Sequence, residues 1–246
     1  MSIKWKKLDW TNTLFLFTSP IAALLLVLLH YNLESKSFPL WIWAGVFYIL
    51  TGLSITGGYH RLFSHRSYKA HGIVRFFYLV FGAAAFENSA LKWAVDHRLH
   101  HSQVDRPKDP YSIQKGFFYA HMGWICEKSE YSKFPKDLLN DPLVIWQDKY
   151  YLPLSIGVGI ILPTLIGYFY GSPVGGLAII GFFRLVCVHH FTFFINSLAH
   201  KVGRQPYSLD NSAKDNLFMA FLSYGEGYHN FHHKFQQDYR LSLIHI

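Results

Sequence analysis

Cysteine is scarce in this chain: two among 246 residues, Cys126 and Cys187, far apart and neither within a CxxC pair. That excludes a disulfide framework and a cysteine-held iron–sulfur cluster, and it suits a reducing compartment. Charge is scarce too, at 15% of residues, against roughly 25% in soluble domains. No GxGxxG follows a predicted strand and no haem or flavin motif is visible, so any electrons must come from a separate carrier. No nucleic-acid module accompanies the net charge of +8, which is read as a surface facing lipid headgroups and an anionic ligand. Residues 1–10 are basic and aromatic, and no small-residue cleavage site follows the first apolar run, so no removable leader is expected. No internal repeat suggests a solenoid.

What is abundant is apolar and aromatic: 51% of residues are hydrophobic, with 22 Phe, 16 Tyr and 7 Trp. That is a membrane composition. Apolar runs long enough for a bilayer that needs about 20 residues predict spans at about residues 13–30, 40–59, 150–170 and 175–196. A further run, residues 72–86, is short and carries Arg75, and is read as a helix lying in the interface or packed on the cap. Four spans put both termini on one side. Of the 23 Lys and Arg residues, only Lys36 falls in an outer turn and Arg184 within a span, leaving the other 21 on the opposite face. The positive-inside bias makes that face cytosolic. The expectation is an all-α membrane protein, a single domain over residues 1–246, with a cytosolic helical cap from residues 60–149 and 197–240.

The chemistry-bearing residues are histidines. His97, His100 and His101 stand at i, i+3, i+4 in KWAVDHRLHHSQ, which on a helix puts three imidazoles on one face. GEGYHNFHHKF repeats the pattern with His229, His232 and His233. His60 and His65 are five apart, a spacing that splays two rings by roughly 140° on a straight α-helix. That helix is therefore expected to end or bend near residues 61–64. Eight imidazoles exceed what one ion takes, so the stoichiometry points to two metals in a nitrogen-rich cage. Donors of this kind favour Fe, Zn or Cu over Mg or Ca, and of these a pair of irons can take electrons, bind dioxygen and attack a C–H bond. Asp96, Asp105 and Glu226 are the candidate acceptors behind the ligands. Asn196 and His200, four apart at the cytosolic end of the fourth span, are expected to share a helix face and to add a ninth ligand. His30, His71, His121, His189, His190 and His245 are read as structural.

HRLFSHRSYKA, WAVDHRLHHSQVD, DPYSIQKGFFYAHMGW, FFINSLAH and GEGYHNFHH, in this order and spacing, resemble the membrane fatty acyl desaturases of the stearoyl-CoA (delta-9) type, from about Asn12 to Arg240. The resemblance implies a four-span, mushroom-shaped helical membrane protein whose cytosolic cap holds a di-iron site. It implies the dioxygen-dependent removal of two hydrogens from a saturated fatty acyl chain, giving a cis double bond. The metal ligands it implies are His60, His65, His97, His100, His101, His200, His229, His232 and His233, with Asn196 reaching the metal through water. The implied acyl-substrate contacts are Asn12, Asn88, Trp93, Asp96 and Lys128, with Phe193 in place of a tryptophan. Implied partners are an acyl-CoA or acyl-lipid substrate, the bilayer, and cytochrome b5 or a ferredoxin with its reductase. The setting is a bacterial inner membrane or, in a eukaryote, the endoplasmic reticulum.

Departures from the family pattern matter. Val95 stands where the animal enzymes carry a basic residue before the DHR motif, and Ser129 replaces a second one. Both changes remove contacts that an anionic coenzyme A headgroup would use, which keeps acyl-lipid and acyl-carrier-protein substrates open and looks more like the bacterial branch. Residues 241–246 leave the pattern, as a truncation or a terminal artefact would. The rival readings are a membrane di-iron hydroxylase and a metal transporter. The transporter should place its ligands near mid-span, whereas these clusters lie beyond the span ends.

Overall fold

The computed structural model describes residues 8–33, 38–129, 131 and 133–239. The outer-turn residue Lys36 and the off-pattern segment 241–246 lie outside them. Its principal helices are α1 (Trp10–Leu33), α2 (Phe38–Ser64), α3 (Gly72–Ala83), α4 (Ala90–Gln103), α5 (Phe117–His121), α6 (Pro142–Lys149), α7 (Tyr151–Phe169), α8 (Pro173–Ser197), α9 (Leu217–Leu222) and α10 (His229–Lys234). Among the described residues β-structure is confined to isolated bridges. Four helices, α1, α2, α7 and α8, are long and apolar enough to cross a membrane. The four expected spans thus correspond to four helices, each a few residues longer or shorter than the apolar run alone suggests. The chain divides into two compact units, one made of Met1–Thr18, Asp96–Lys133 and His190–Ile246, the other of Ser19–Val95 and Phe134–His189.

In the second unit, α2 buries a stripe of Leu40, Ala44, Phe47 and Thr51, the i, i+4, i+7, i+11 spacing of one helical face. Leu40, Ala44 and Phe47 pack on Ala178, Ile179 and Ile180 of α8. Lipid is as apolar as leucine, so within a bilayer such contacts hold through close packing rather than transfer from water, and small residues decide how near two helices come. Gly58 and Gly82 show this between α2 and α3. A Cβ on Gly58 would lie 2.6 Å from the Cβ of Tyr78, and one on Gly82 would lie 2.4 Å from Cε1 of Tyr59. Two tyrosines thus seat in two glycine notches. The short apolar run is therefore a helix packed along the second span, with His71 as its N-cap, its side chain accepting from the Ile73 N–H at 3.3 Å.

The last part of α2, Ser54–Ser64, is wound as a π-helix, whose i→i+5 hydrogen bonding is rare and recurs at functional sites. It resolves the five-residue spacing: the His65 N–H donates to the His60 carbonyl at 3.0 Å. The two rings lie 4.8 Å apart and nearly perpendicular, at 83°. The rings converge, but by a change of helical period followed by the helix end at Ser64, where the sequence suggested an end or a bend.

In the first unit, Asp9 caps α1, its Oδ1 accepting from the Asn12 N–H at 3.0 Å, the third donor of the helix start. Leu16, Cys126 and Phe193 form a small buried cluster joined by Leu8, Met122 and Ile125. At the other end of this unit, Asn230 is fully buried and all its polar atoms are engaged. Its Oδ1 accepts from the N–H groups of Tyr207 (2.9 Å) and Ser208 (3.1 Å), and its Nδ2 donates to the carbonyls of Ser208 (2.7 Å) and Ala213 (2.9 Å). Asp215 Oδ1 accepts from the N–H groups of Asn230 and Phe231 at the start of α10. A six-residue helix is too short to hold itself together, and these side-chain bonds fix it in place.

Candidate metal centre

Within the first unit, α4 brings His97, His100 and His101 to one face, and α10 does the same for His229, His232 and His233. His200 completes the set, although not as the sequence suggested. Helix α8 ends at Ser197, and the Leu198 and Ala199 N–H groups both donate to the Phe194 carbonyl, at 2.7 and 3.1 Å. His200 therefore stands in the turn beyond the helix rather than on it, whereas Asn196 is partly buried on the last turn of α8.

His100, His200, His229 and His233 are all buried, and each offers one ring nitrogen within 4.8 Å of the others. The Nε2 atoms form a chain: His200 to His229 at 3.0 Å, His229 to His233 at 3.1 Å and His233 to His100 at 3.3 Å. Four nitrogens around a tetrahedral ion with bonds of about 2.0–2.1 Å would stand roughly 3.3–3.4 Å apart. The tetrad fits one metal ion. Beside it, His97, His101 and His232 form a second set, with the His232 and His101 Nε2 atoms 2.8 Å apart. The two sets abut, since the rings of His101 and His233 stack at 4.4 Å.

The groups behind the ligands determine which nitrogen faces inward. Asp109, 1% exposed, takes the Nδ1–H of His100 on its Oδ1 at 2.9 Å. A carboxylate can only accept, so the proton sits on Nδ1 and the Nε2 lone pair points into the tetrad. His200 is set by a relay. Asp105 Oδ1 accepts from Ser212 Oγ at 2.7 Å, which leaves that hydroxyl oxygen to accept from the His200 Nδ1–H at 2.8 Å. Asp105 Oδ2 also accepts from the Ser212 N–H. His97 Nδ1 meets Tyr111 Oη at 3.2 Å. Burial, with His100 beside it, holds the His200 imidazole well below its usual pKa, so it is neutral, as a ligand must be. Burial and the Asp109 charge push the Tyr111 phenol up, keeping it protonated.

Of the three carboxylates read as candidates for this supporting role, Asp105 serves a ligand, and it does so through Ser212. Asp96 instead accepts from Tyr131 Oη at 2.9 Å, and burial raises its carboxyl to about 7. Glu226 is buried. Asp109, Tyr111 and Ser212 were not singled out in the sequence, although Asp109 and Tyr111 stand in the stretch DPYSIQKGFFYAHMGW.

The expected substrate contacts fall into separate groups. Asn12 Nδ2 donates to the Ile125 carbonyl at 3.4 Å, and Phe193 packs on Cys126. Lys128, two residues beyond that cysteine, is exposed. In the other unit, Asn88 and Trp93 flank the start of α4. Trp93 donates to Glu87 Oε2 at 3.3 Å, and its ring lies 6.1 Å from that of His60. The histidines read as structural have other partners: His30 meets Ser172 Oγ at 3.1 Å, His189 the Ala85 carbonyl at 2.7 Å, and His121 both Ser197 Oγ and His190 Nδ1 at 3.0 Å. Burial and His190 lower the His121 imidazole to about 4.

A helical membrane fold carrying clustered imidazoles defines a class of membrane metalloprotein, and the comparisons say which. The family model described as fatty acid desaturase matches residues 36–245, and the chain belongs to that family. It is 41% identical over 244 residues to the probable acyl-CoA desaturase of Schizosaccharomyces pombe, covering 97% of this chain and 50% of the relative. It is 39% identical over 250 residues to acyl-CoA desaturase 1 of Saccharomyces cerevisiae, covering 96% and 47%. With the human stearoyl-CoA desaturase it shares 35% over 242 residues, covering 95% and 67%. The chain thus spans about half the length of the two yeast relatives. All three relatives are eukaryotic and lend no support to the bacterial placement.

Proposed function

We propose that this chain is a di-iron acyl desaturase that introduces a cis double bond, at the delta-9 position, into a saturated acyl chain carried by coenzyme A or a lipid. The observation that carries this reading is the buried tetrad of Nε2 atoms at tetrahedral spacing, with two of its rings oriented by Asp109 and by the Asp105–Ser212 relay. One iron would be held by His100, His200, His229 and His233 and the other by His97, His101 and His232, with Asn196 acting through a water; His60 and His65 are proposed as further ligands. Bound iron would supply the dioxygen-dependent oxidation that removes two hydrogens. The chain's own residues hold the ligands neutral and aimed, and keep water away from them by burial. Asn12, Asp96 and Lys128 hold the headgroup end of the substrate. Asn88 and Trp93 contact the acyl chain at the depth that selects the carbon pair, and Phe193 is a further contact with the chain. Electrons come from cytochrome b5 or a ferredoxin with its reductase.

Expression in a desaturase-deficient host supplied with saturated fatty acids, followed by mass spectrometry and double-bond mapping, tests this. The expected product is two hydrogens lighter than the substrate. A product heavier by one oxygen would make the chain a hydroxylase. The proposed topology puts both termini and the histidines in the cytosol. Phe169, 82% exposed at the end of α7, should then label from outside as Phe169→Cys with an impermeant thiol reagent in a cysteine-free background. Labelling only after permeabilisation would invert the orientation.

A further inference from the structure

Arg184 is the largest fully buried side chain among the described residues, and it stands in the middle of α8, a helix apolar enough to cross a membrane. A cation at that depth is costly and is retained where it has a task. Among the described residues its hydrogen bonds go to carbonyl oxygens: Nη1 to Ala84 at 2.7 Å, Nε to Ile180 at 3.2 Å and Nη2 to Gly159 at 3.3 Å. None of the three acceptors takes the ordinary α-helical bond from the residue four positions on, the Asn88 N–H going to Tyr151. Ala84 caps the C-terminal end of α3, where carbonyls lack partners and the helix dipole is negative. Gly159 lies four residues before Pro163, whose nitrogen has no hydrogen to give. Ile180 lies in a π-wound stretch, Gly176–Phe183, and the Arg184 N–H goes to Ile179 and Gly181 instead. One turn further along α8, His189 Nε2 takes the next carbonyl of the same turn, Ala85, at 2.7 Å.

What these bonds hold is the connection between α3 and α4. Phe86 and Asn88 there have φ values of 55° and 78°, a region that costs L-residues energy and persists only when surroundings enforce it. The Asn88 N–H donates to Tyr151 Oη at 3.0 Å, and the Ala90 N–H to Gln147 Oε1 at 3.1 Å. The first turn of α4 then presents Trp93 against Tyr59 and His60, at ring separations of 6.3 and 6.1 Å.

We propose that Arg184 is a positioning residue for substrate selection: by gathering the Ala84, Gly159 and Ile180 carbonyls it fixes residues 84–89, and with them Asn88 and Trp93, at the depth that selects the carbon pair. The inference rests on the desaturase reading above. Its test compares wild type with Arg184→Gln and Arg184→Lys in the desaturase-deficient host supplied with palmitate and stearate. Iron content, monodispersity in detergent, turnover and double-bond position are read for each. Arg184→Gln is expected to keep both irons and remain monodisperse. Its turnover should fall about 10-fold or more, since ångström-scale misplacement can cost about 100-fold, and its product should spread from one positional isomer to a mixture. Arg184→Lys keeps the charge and one donor and should show a smaller spread. The inference is overturned by folded variants that match wild type in isomer and rate, or by loss of folding in Arg184→Gln while Arg184→Lys is indistinguishable from wild type. Loss of folding in both assigns Arg184 a structural role and also overturns it. A wild type that makes no unsaturated product brings down the desaturase reading, a result separate from any of these.

Discussion

His100→Ala is expected to insert into the membrane and purify as a monodisperse protein, yet bind at most one of two irons and form no detectable unsaturated product. The ring sits at one end of the nitrogen chain, 3.3 Å from His233, and is 2% exposed. Its removal leaves three donors and a void beside them. Changing a group behind a ligand already costs about 10–100-fold in affinity or activity, so losing the ligand itself should cost more than about 100-fold. Because the start of α4 is held independently of His100, through the Ala90 N–H to Gln147 Oε1, folding should survive. Metal analysis of the purified variant alongside lipid profiling decides the matter. Two irons bound, or wild-type product, would remove His100 from the ligand set.

The second large effect is expected at Asp109→Asn. Asp109 Oδ1 accepts from His100 Nδ1 at 2.9 Å and from the Tyr111 N–H at 3.2 Å, while Oδ2 accepts from the Asp105 N–H at 3.0 Å. An amide has the same outline but only one accepting atom. If its oxygen faces Asp105, its NH₂ group points at His100, whose proton moves to Nε2 and closes that nitrogen to metal. If the oxygen faces His100, the amide hydrogen opposes the Asp105 N–H. Iron affinity should fall by about 10–100-fold, and activity should return in part when iron is supplied in excess. His100→Ala should show no such recovery. Titration of the metal-free variant with ferrous iron measures this, and an unchanged affinity would show that the carboxylate does not set the tautomer.

These two positions also mark how far the sequence could be read. His100 was legible because an i, i+3, i+4 triad has one meaning on a helix, and α4 and α10 both kept that period. His60 and His65 were legible as a pair but not in their geometry. A π-wound segment leaves no compositional trace, and its close packing, Tyr78 on Gly58 and Tyr59 on Gly82, joins residues distant in sequence. Asp109 was not legible. RPKDP, which contains Asp109, is a sound turn signal, and nothing local says that the turn folds back so that its carboxylate meets a ring nine residues earlier. The same holds for Ser212, which needs both Asp105 and His200 in place before its hydroxyl has a direction. The four spans were visible from hydropathy alone. The role of Arg184 was not, since its partners are carbonyls and any residue can supply those.

The tetrad's order along the chain has a consequence for biosynthesis. His100 and His233 are 133 positions apart, and at roughly 5–20 residues per second a ribosome needs on the order of 10 s to make the segment between them. For most of that interval His100 has none of its three partners; His200 comes first, and the other two arrive only with α10. Filling the tetrad must therefore wait until synthesis has passed His233, and a nascent chain stalled before His229 would already contain the four apolar helices while having no tetrad to fill.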